Sequence, residues 1–250
     1  MIASPSACFP AMDTYRQRTY QNQTQWGQRW AVRQWNPPQG HGVYLFIRFP
    51  GHSVEFAAQT VVLGKRAVTT ARGEFIGIAR KVHDLSSGPR QKESLVVYLF
   101  ESTDAATRFF VSDNRFKQPD FPPPSGACEA WTVVKFLETR SDDMYLTYML
   151  CDNTLRGSSY HEYKRQFAEP FSQLVLDYGG QPFVVQSIGV ESLRRHHVES
   201  NTIVTLHLFR NEEDIKRMMA DPRYEDLKRR QIAMATDFTS VFTIDPQACP

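Results

Sequence analysis

Paired cysteines, long apolar runs and an excess of one charge are all missing from this sequence. The four cysteines are Cys8, Cys128, Cys151 and Cys249. None belongs to a CxxC pair, so neither a zinc site nor a redox motif is predicted. No stretch approaches the roughly 18 consecutive apolar residues of a membrane span. The net charge of +2 predicts neither a nucleic-acid binder nor an enzyme for acidic substrates.

The amino-terminal residues also lack a basic segment followed by an apolar run, so no secretory signal is predicted. Reduced thiols then fit a cytoplasmic protein with no membrane partner. A hydrophobic content of 41% with 22% charged residues is ordinary for a globular chain. At 250 residues, one large domain and two domains of about 100 residues are both reasonable.

Residues 1–40 have their own composition, with four arginines against a single acid, Asp13, and with Trp26, Trp30 and Trp35. We interpret them as a flexible basic arm rich in Gln, Trp and Arg, whose Trp26 and Trp30 pair docks on the folded part. Two alternatives stay open. One is a nucleic-acid contact through stacked rings and arginines, which we do not favour. The other is a mitochondrial presequence, because Arg-rich and acid-poor is the right composition.

The rest of the chain carries one βαββαβ pattern twice, in residues 41–138 and 143–246. The strands predicted for the first copy are 43–49, 73–80, 95–100 and 131–136, with helices 53–70 and one starting at Ser102 or Thr103. The second copy has strands 145–150, 182–187, 203–209 and 238–244. Its helices start at Ser158 or Ser159, at Asn211 and at Tyr224. A repeat of this length indicates two similar domains.

Short identities relate the two copies. Tyr44-Leu45 matches Tyr145-Leu146, and Leu99-Phe100 matches Leu208-Phe209. The glycines at the end of the first helix differ, because Arg72-Gly73 stands where the second copy has Gly179-Gly180. We interpret Gly179-Gly180 as a helix end and not as a phosphate loop, since a strand and not a helix follows it.

The second copy resembles a domain family of unknown function in the dimeric α/β barrel superfamily. The matching residues are Tyr160-His161-Glu162-Tyr163-Lys164, Pro170, Tyr178-Gly179-Gly180, Phe209 and Asp221-Pro222-Arg223-Tyr224-Glu225-Asp226-Leu227. They span nearly all of residues 145–246. The first copy is a degenerate relative that lacks the tyrosines and the proline of the first helix.

The resemblance implies an α+β fold of two tandem ferredoxin-like repeats. Members of such families pair as homodimers, sheet against sheet, so two copies in one chain imply an intramolecular pseudo-dimer that forms one dimeric α/β barrel. The bare apolar face of each sheet would be covered by the other copy. Oligomerisation beyond that pseudo-dimer stays open. In the wider superfamily the usable cavity lies between each sheet and its helices.

The candidate ligand-binding residues lie in the second copy, which keeps the family motif. They are Tyr160, His161, Tyr163, Arg165, His207, Tyr224 and Arg229. Tyrosines and a histidine around one pocket could serve acid-base chemistry. The favoured alternative is that the tyrosines anchor helix to sheet and that His207, flanked by two leucines that face the other way, is exposed to solvent.

No cofactor or metal is predicted. Related two-repeat barrels include haem enzymes, but only His161 has the position of a proximal ligand, and the surrounding motifs are missing. We therefore expect a small-molecule-binding or interaction module without a recognisable catalytic motif. The alternative is a cofactor-independent oxygenase, isomerase or lyase for a small organic acid or aromatic compound, using Tyr163, His161 and Arg229.

Overall fold

Nine strands pair into one antiparallel sheet in the computed structural model of the chain, which describes residues 42–85, 93–112, 128–134, 145–188, 191–194 and 201–245. Helices accompany the strands, so the fold is mixed α/β. The described residues belong to the unit Pro38–Pro250. The arm predicted for residues 1–40 lies outside the described residues, and that prediction stays untested.

In the first half of the sheet the order is strand, helix, two strands, helix and strand. The elements are β1 Val43–Pro50, α1 Val54–Thr70, β2 Glu74–Asp84, β3 Glu93–Phe100, α2 Thr103–Ser112 and β4 Glu129–Val134. Each strand lies within a few residues of its predicted bounds. The four buried residues of α2, Ala105, Ala106, Phe109 and Phe110, have the spacing of one helix face.

The second half follows the same order, but a π turn splits its first helix in two, and it has one extra strand and one extra helix. Its elements are β5 Thr147–Leu155, α3 Tyr160–Tyr163, a π turn Lys164–Ala168, α4 Glu169–Asp177, β6 Gln181–Ile188, β7 Glu191–Arg194, β8 Thr202–Phe209, α5 Glu212–Met219, α6 Pro222–Met234 and β9 Ala235–Asp245. The π turn ends two residues before Pro170, which has no N–H for a bond to the preceding turn. The strand β7 was not predicted.

Helix starts follow the capping residues that the sequence predicts. Ser53 accepts a hydrogen bond from the Phe56 N–H at 3.4 Å, and Ser159 accepts one from the Glu162 N–H at 3.2 Å. Asn211 accepts from the Asp214 N–H at 3.0 Å. Each oxygen satisfies a backbone donor that has no partner within the helix. The predicted caps at these three helices are confirmed.

The register of the strands corrects the sequence alignment of the two halves. Tyr44 lies opposite Leu99 and Val133, and Tyr148 lies opposite Leu208 and Phe242. Tyr148, and not Tyr145, therefore occupies the position of Tyr44. Tyr145 precedes β5, which starts at Thr147. We call two residues equivalent when they hold the same place in this register.

The sheet closes on itself through long strands shared between the halves. The strand order is β6-β8-β5-β9-β2-β3-β1-β4-β7. β2 pairs with β3 through its first residues and with β9 through its last. β7 follows β6 in the chain and pairs with β4, so the last position of the strand order leads back to the first. At the end of β7, Arg194 lies opposite Ala130 of β4.

One core cluster draws on both halves. From the first half it includes Tyr44, Phe46, Ala79, Leu95, Val97, Trp131 and Val133, and from the second Tyr148, Leu150, Val184, Val185, Val204, Leu206, Leu208, Phe242 and Ile244. Alternate side chains of each strand point to this core, and the others point toward the helices. Apolar side chains from both halves therefore pack into one cluster.

The glycine pair at the end of α4 has the role that we expected. Gly179 has φ +75°, the left-handed conformation that commonly ends a helix. A Cβ on Gly180 would lie 2.7 Å from Val175 Cγ1 and 2.8 Å from Phe209 Cε1, so the chain after α4 could not pack as closely against β8.

No helix among the described residues combines the length and the apolar character that crossing a membrane requires.

Candidate functional site

Six polar side chains gather on the helix-facing side of the second half of the sheet, and we call them the polar layer. They are Cys151 and Asn153 on β5, Thr205 and His207 on β8, and Asp237 and Thr239 on β9. Cys151 lies opposite both Thr205 and Thr239, and Asn153 lies opposite Asp237. All six are buried. Because strand side chains alternate with period two, these positions face α3, α4 and α6.

Asp237 is the centre of the hydrogen bonding in this layer. Its Oδ1 accepts from Gln231 Nε2 at 3.0 Å and from Thr239 Oγ1 at 2.5 Å. Its Oδ2 pairs with Lys228 Nζ. Gln231 Nε2 also donates to Asn153 Oδ1 at 2.7 Å. Two residues of α6 thus supply the donors that a buried carboxylate needs.

Cys151 lies between the two threonines of the polar layer. The pKa of its thiol is raised to about 12, first by burial and then by the nearby Asp237 carboxylate, although hydrogen bonding from Thr239 and Thr205 acts in the opposite direction. The thiol is therefore protonated at neutral pH. A protonated thiol is a poor nucleophile, so Cys151 has a packing and hydrogen-bonding role here.

His207 is fully buried, and the expectation that it faces solvent is wrong. The reason is that both faces of β8 are covered, one by the shared core and the other by helices. Burial lowers the pKa of its imidazole to about 3. Nδ1 accepts a hydrogen bond from the Phe183 N–H at 3.2 Å, so the neutral ring carries its proton on Nε2 and donates to Thr205 Oγ1, also at 3.2 Å.

Aromatic rings form a continuous group from the first helix to His207. Phe167 stacks on Phe171 at 5.1 Å between centroids, and Tyr163 lies 5.3 Å from Phe167. The ring of His207 meets Phe171 edge-on at 5.1 Å and Phe183 at 4.7 Å. The surroundings of the polar layer are therefore largely aromatic.

The backbone departs from regular geometry at two places beside this group. The π turn Lys164–Ala168 contains Phe167. Phe183 has φ +52°, and the pairing of β6 with β8 shifts its register between Gln181 and Val185. π turns are frequent at functional sites, and a non-glycine residue in the left-handed region costs energy that the surroundings must offset. Both irregularities lie in the second half.

Three of the predicted site residues lie close to the polar layer. They are Tyr163, His207 and Tyr224. Burial raises the pKa of the Tyr163 hydroxyl, with Cys151 and Asp237 adding to the effect and Gln231 opposing it through a hydrogen bond. Burial also raises the pKa of Tyr224, again with contributions from Cys151 and Asp237. Both phenols are therefore neutral.

The other predicted residues lie elsewhere. Tyr160 is half-buried, and burial and Glu169 raise its pKa. His161 and Arg165 are exposed on the first helix. Arg229 is exposed on α6 and has Asp226 at 4.0 Å. These residues stay predictions, but the exposed ones do not share an environment with Tyr163.

The predictions omitted Asn153, Asp237, Gln231 and Lys228. Asn153 and Asp237 fell just beyond the predicted strand ends, at Leu150 and Phe238. A signal did exist, because Cys151 and Asn153 have the same two-residue spacing as Thr205 and His207. Such spacing places polar groups on one face of a strand.

The first half has apolar residues at almost all of the equivalent positions. The equivalents of the polar layer are Ile47, Phe49, Val96, Tyr98, Cys128 and Ala130, which all belong to one buried apolar cluster. Thr205 corresponds to Val96, which has nearly the same shape without the hydroxyl. The same arrangement of strands is thus packed with apolar side chains in one half and polar side chains in the other.

No three His, Cys, Asp or Glu side chains come together as a possible metal site within the described ranges. The reduced cysteines Cys128 and Cys151 are both buried. The candidate site is therefore a hydrogen-bonded layer of neutral groups with one ion pair, Lys228 with Asp237.

The sequence matches no model of a known protein family. It also matches no curated protein. Solved structures are similar only weakly. A proposed monooxygenase from Fusobacterium nucleatum subsp. nucleatum ATCC 25586 is 10% identical, with a TM-score of 0.49, over 83% of this chain and 94% of that one.

Two further structures give similar values. An anthrone oxidase-like protein is 9% identical over 83% of this chain and 92% of its own, with a TM-score of 0.48. A mutant chlorite dismutase from Candidatus Nitrospira defluvii is 12% identical over 82% of this chain and 92% of its own, with a TM-score of 0.46. These likenesses assign no reaction and no ligand to this chain.

Proposed function

We propose that this chain binds a small molecule between the helices and the sheet of its second half. The observation that carries the proposal is the contrast between the polar layer and its apolar equivalents in the first half. An apolar layer at those positions is compatible with this arrangement of strands. The polar side chains of the second half are therefore not needed to form this arrangement of strands.

Burying polar groups has a cost that the fold alone does not require. A buried polar group without full hydrogen bonding costs about 1–3 kcal/mol. A layer of six buried polar groups is expected to persist when the groups also serve another purpose. Recognition of a ligand is the purpose that the π turn and the strained Phe183 also support, because both lie beside the same layer.

We infer further that the two halves are tandem ferredoxin-like copies that form an intramolecular dimeric α/β barrel. The matching strand orders β2-β3-β1-β4 and β6-β8-β5-β9 support this inference. In this arrangement the first copy is mainly structural and the second holds the ligand. We also propose a cytoplasmic location, supported by the buried, reduced cysteines Cys128 and Cys151.

Binding is favoured over catalysis because the catalytic set of the alternative function does not converge. That set needs Tyr163, His161 and Arg229 within hydrogen-bond reach of one cavity. Tyr163 is buried, whereas His161 and Arg229 are exposed. A cofactor-independent reaction through these three residues is therefore not proposed.

A thermal-shift screen of metabolites on the intact chain tests the proposal, because a ligand of the native state raises its stability. The dissociation constant of each hit is then measured by calorimetry on Thr205→Val and on Val96→Thr. These are opposite swaps at equivalent positions. We expect Thr205→Val to weaken binding and Val96→Thr to leave it unchanged. Equal effects of the two swaps, or a screen without hits, would contradict the proposal.

A further inference from the structure

Asn153 has a donor that the polar layer leaves unused. Its side chain is fully buried, and its Oδ1 accepts from Gln231 Nε2 at 2.7 Å. Its Nδ2 is buried and has no hydrogen-bond partner among the described residues. An amide N–H left without an acceptor in such a place is costly, and the cost disappears when an acceptor arrives.

No acceptor of the other groups in the layer reaches Nδ2 of Asn153, which has no hydrogen-bond partner among the described residues. Asp237 receives hydrogen bonds from Gln231 and Thr239 and pairs with Lys228. Thr205 accepts from His207. What the layer lacks is therefore one acceptor atom beside Asn153.

The layer has no free charge to match a charged ligand. Lys228 and Asp237 neutralise each other. His207, Tyr163, Tyr224 and Cys151 are neutral around pH 7, since burial opposes the charged form of each. An ion brought into this layer would lose its hydration without gaining a counter-ion, which is strongly unfavourable.

We propose that the ligand is an uncharged molecule that places a carbonyl oxygen, or a similar acceptor oxygen, against Nδ2 of Asn153. This inference rests on the proposed function and specifies the class of molecule bound. The rings of Phe171 and Phe183, which surround His207, favour an apolar or aromatic body for the rest of the ligand.

Three probes of similar size test the proposed class of ligand on the intact protein. Acetophenone is uncharged and has an acceptor oxygen, ethylbenzene lacks the oxygen, and benzoate is an anion. Dissociation constants are measured by ligand-observed NMR for the wild type and for Asn153→Leu. The side-chain amide of Asn153, assigned from triple-resonance spectra of the wild type, is followed in proton–nitrogen spectra of the wild type.

We expect acetophenone to bind about tenfold more tightly than ethylbenzene, the worth of one hydrogen bond, and to shift the Asn153 amide protons. Benzoate is expected to bind more weakly than acetophenone. In Asn153→Leu the advantage of acetophenone over ethylbenzene should vanish. If this variant does not fold, the amide shift in the wild type decides whether the acceptor oxygen of acetophenone contacts Asn153.

Several results would overturn the inference. One is benzoate binding as tightly as acetophenone, another is equal binding of acetophenone and ethylbenzene, and a third is no binding of any probe. A further result is benzoate that binds tightly and loses affinity in Thr205→Val but not in Val96→Thr. That result would overturn only the inference that the ligand is uncharged, and it would leave the proposed site in place. Probe binding that responds to neither swap would remove the site as well.

Discussion

Arg48 and Asp152 are equivalent residues of the two halves, and they form an ion pair with each other. Arg48 Nη2 lies 3.6 Å from Asp152 Oδ2. Each stands four residues after its tyrosine, Tyr44 or Tyr148, on the inward face of its strand. Two identical halves would place like charges together here. Opposite charges at equivalent positions therefore favour pairing between the two different halves of this chain.

Arg48 should matter more to stability than Asp152. Arg48 also pairs with Glu93 at 2.7 Å and Glu129 at 3.2 Å, and its guanidinium lies 4.8 Å from the ring centre of Trp131. We expect Arg48→Met to lower the free energy of unfolding by about 3 kcal/mol, because three carboxylates lose their common cation. Asp152→Asn leaves two partners for Arg48 and should cost about 1 kcal/mol. Urea unfolding measures both, and equal losses would contradict this assignment.

His207 predicts a specific loss of stability in acid. Its pKa falls from 6.5 to about 3 on folding, so the unfolded chain binds the proton more readily between these values. The stabilisation is complete above the unfolded pKa and is lost as the pH falls below it. From pH 7 to pH 5 this residue alone should remove about 2 kcal/mol from the free energy of unfolding.

The variant His207→Asn isolates that contribution. Asparagine can still accept from the Phe183 N–H but does not titrate. Urea unfolding at several pH values should therefore show a smaller loss between pH 7 and pH 5 for the variant than for the wild type. Parallel curves for the two proteins would mean that folding does not lower the pKa of His207.

Arg72 occupies a position that suits glycine. It has φ +55° after α1, where Gly179 has φ +75° after α4. The next residue makes the same capping bond in both halves, from the Gly73 N–H to Val68 O and from the Gly180 N–H to Val175 O. We expect Arg72→Gly to raise the free energy of unfolding by about 1 kcal/mol, and Gly179→Ala to lower it by about 1 kcal/mol. A destabilising Arg72→Gly would show that the Arg72 side chain contributes more than its strain costs.

The order of elements could be predicted because it depends on local signals. Ser53, Ser159 and Asn211 are side-chain caps, and the apolar runs of β1, β3 and β8 are long and clear. The start of β5 was displaced because Tyr145-Leu146 repeats the letters of Tyr44-Leu45. The register, which is set by pairing with β8 and β9, decides in favour of Tyr148.

Features that depend on contacts across the chain could not be predicted. The partner of β7 is β4 in the other half, and nothing local to Glu191–Arg194 indicates it. The burial of His207 results from helices that cover β8, which alternation alone cannot reveal. Asn153 and Asp237 looked like polar strand ends, and only the pairing of β5 with β9 sets them opposite each other.

The central claim is that the ligand lies in the second half, between the helices and the polar layer. Backbone hydrogen exchange of the intact protein, with and without a hit from the screen, tests it most directly. We predict that the ligand slows exchange in α3 to α4, in α6 and in β5, and leaves α1, α2 and β1 unchanged. Slowed exchange confined to the first half, or equal in both halves, would contradict the account.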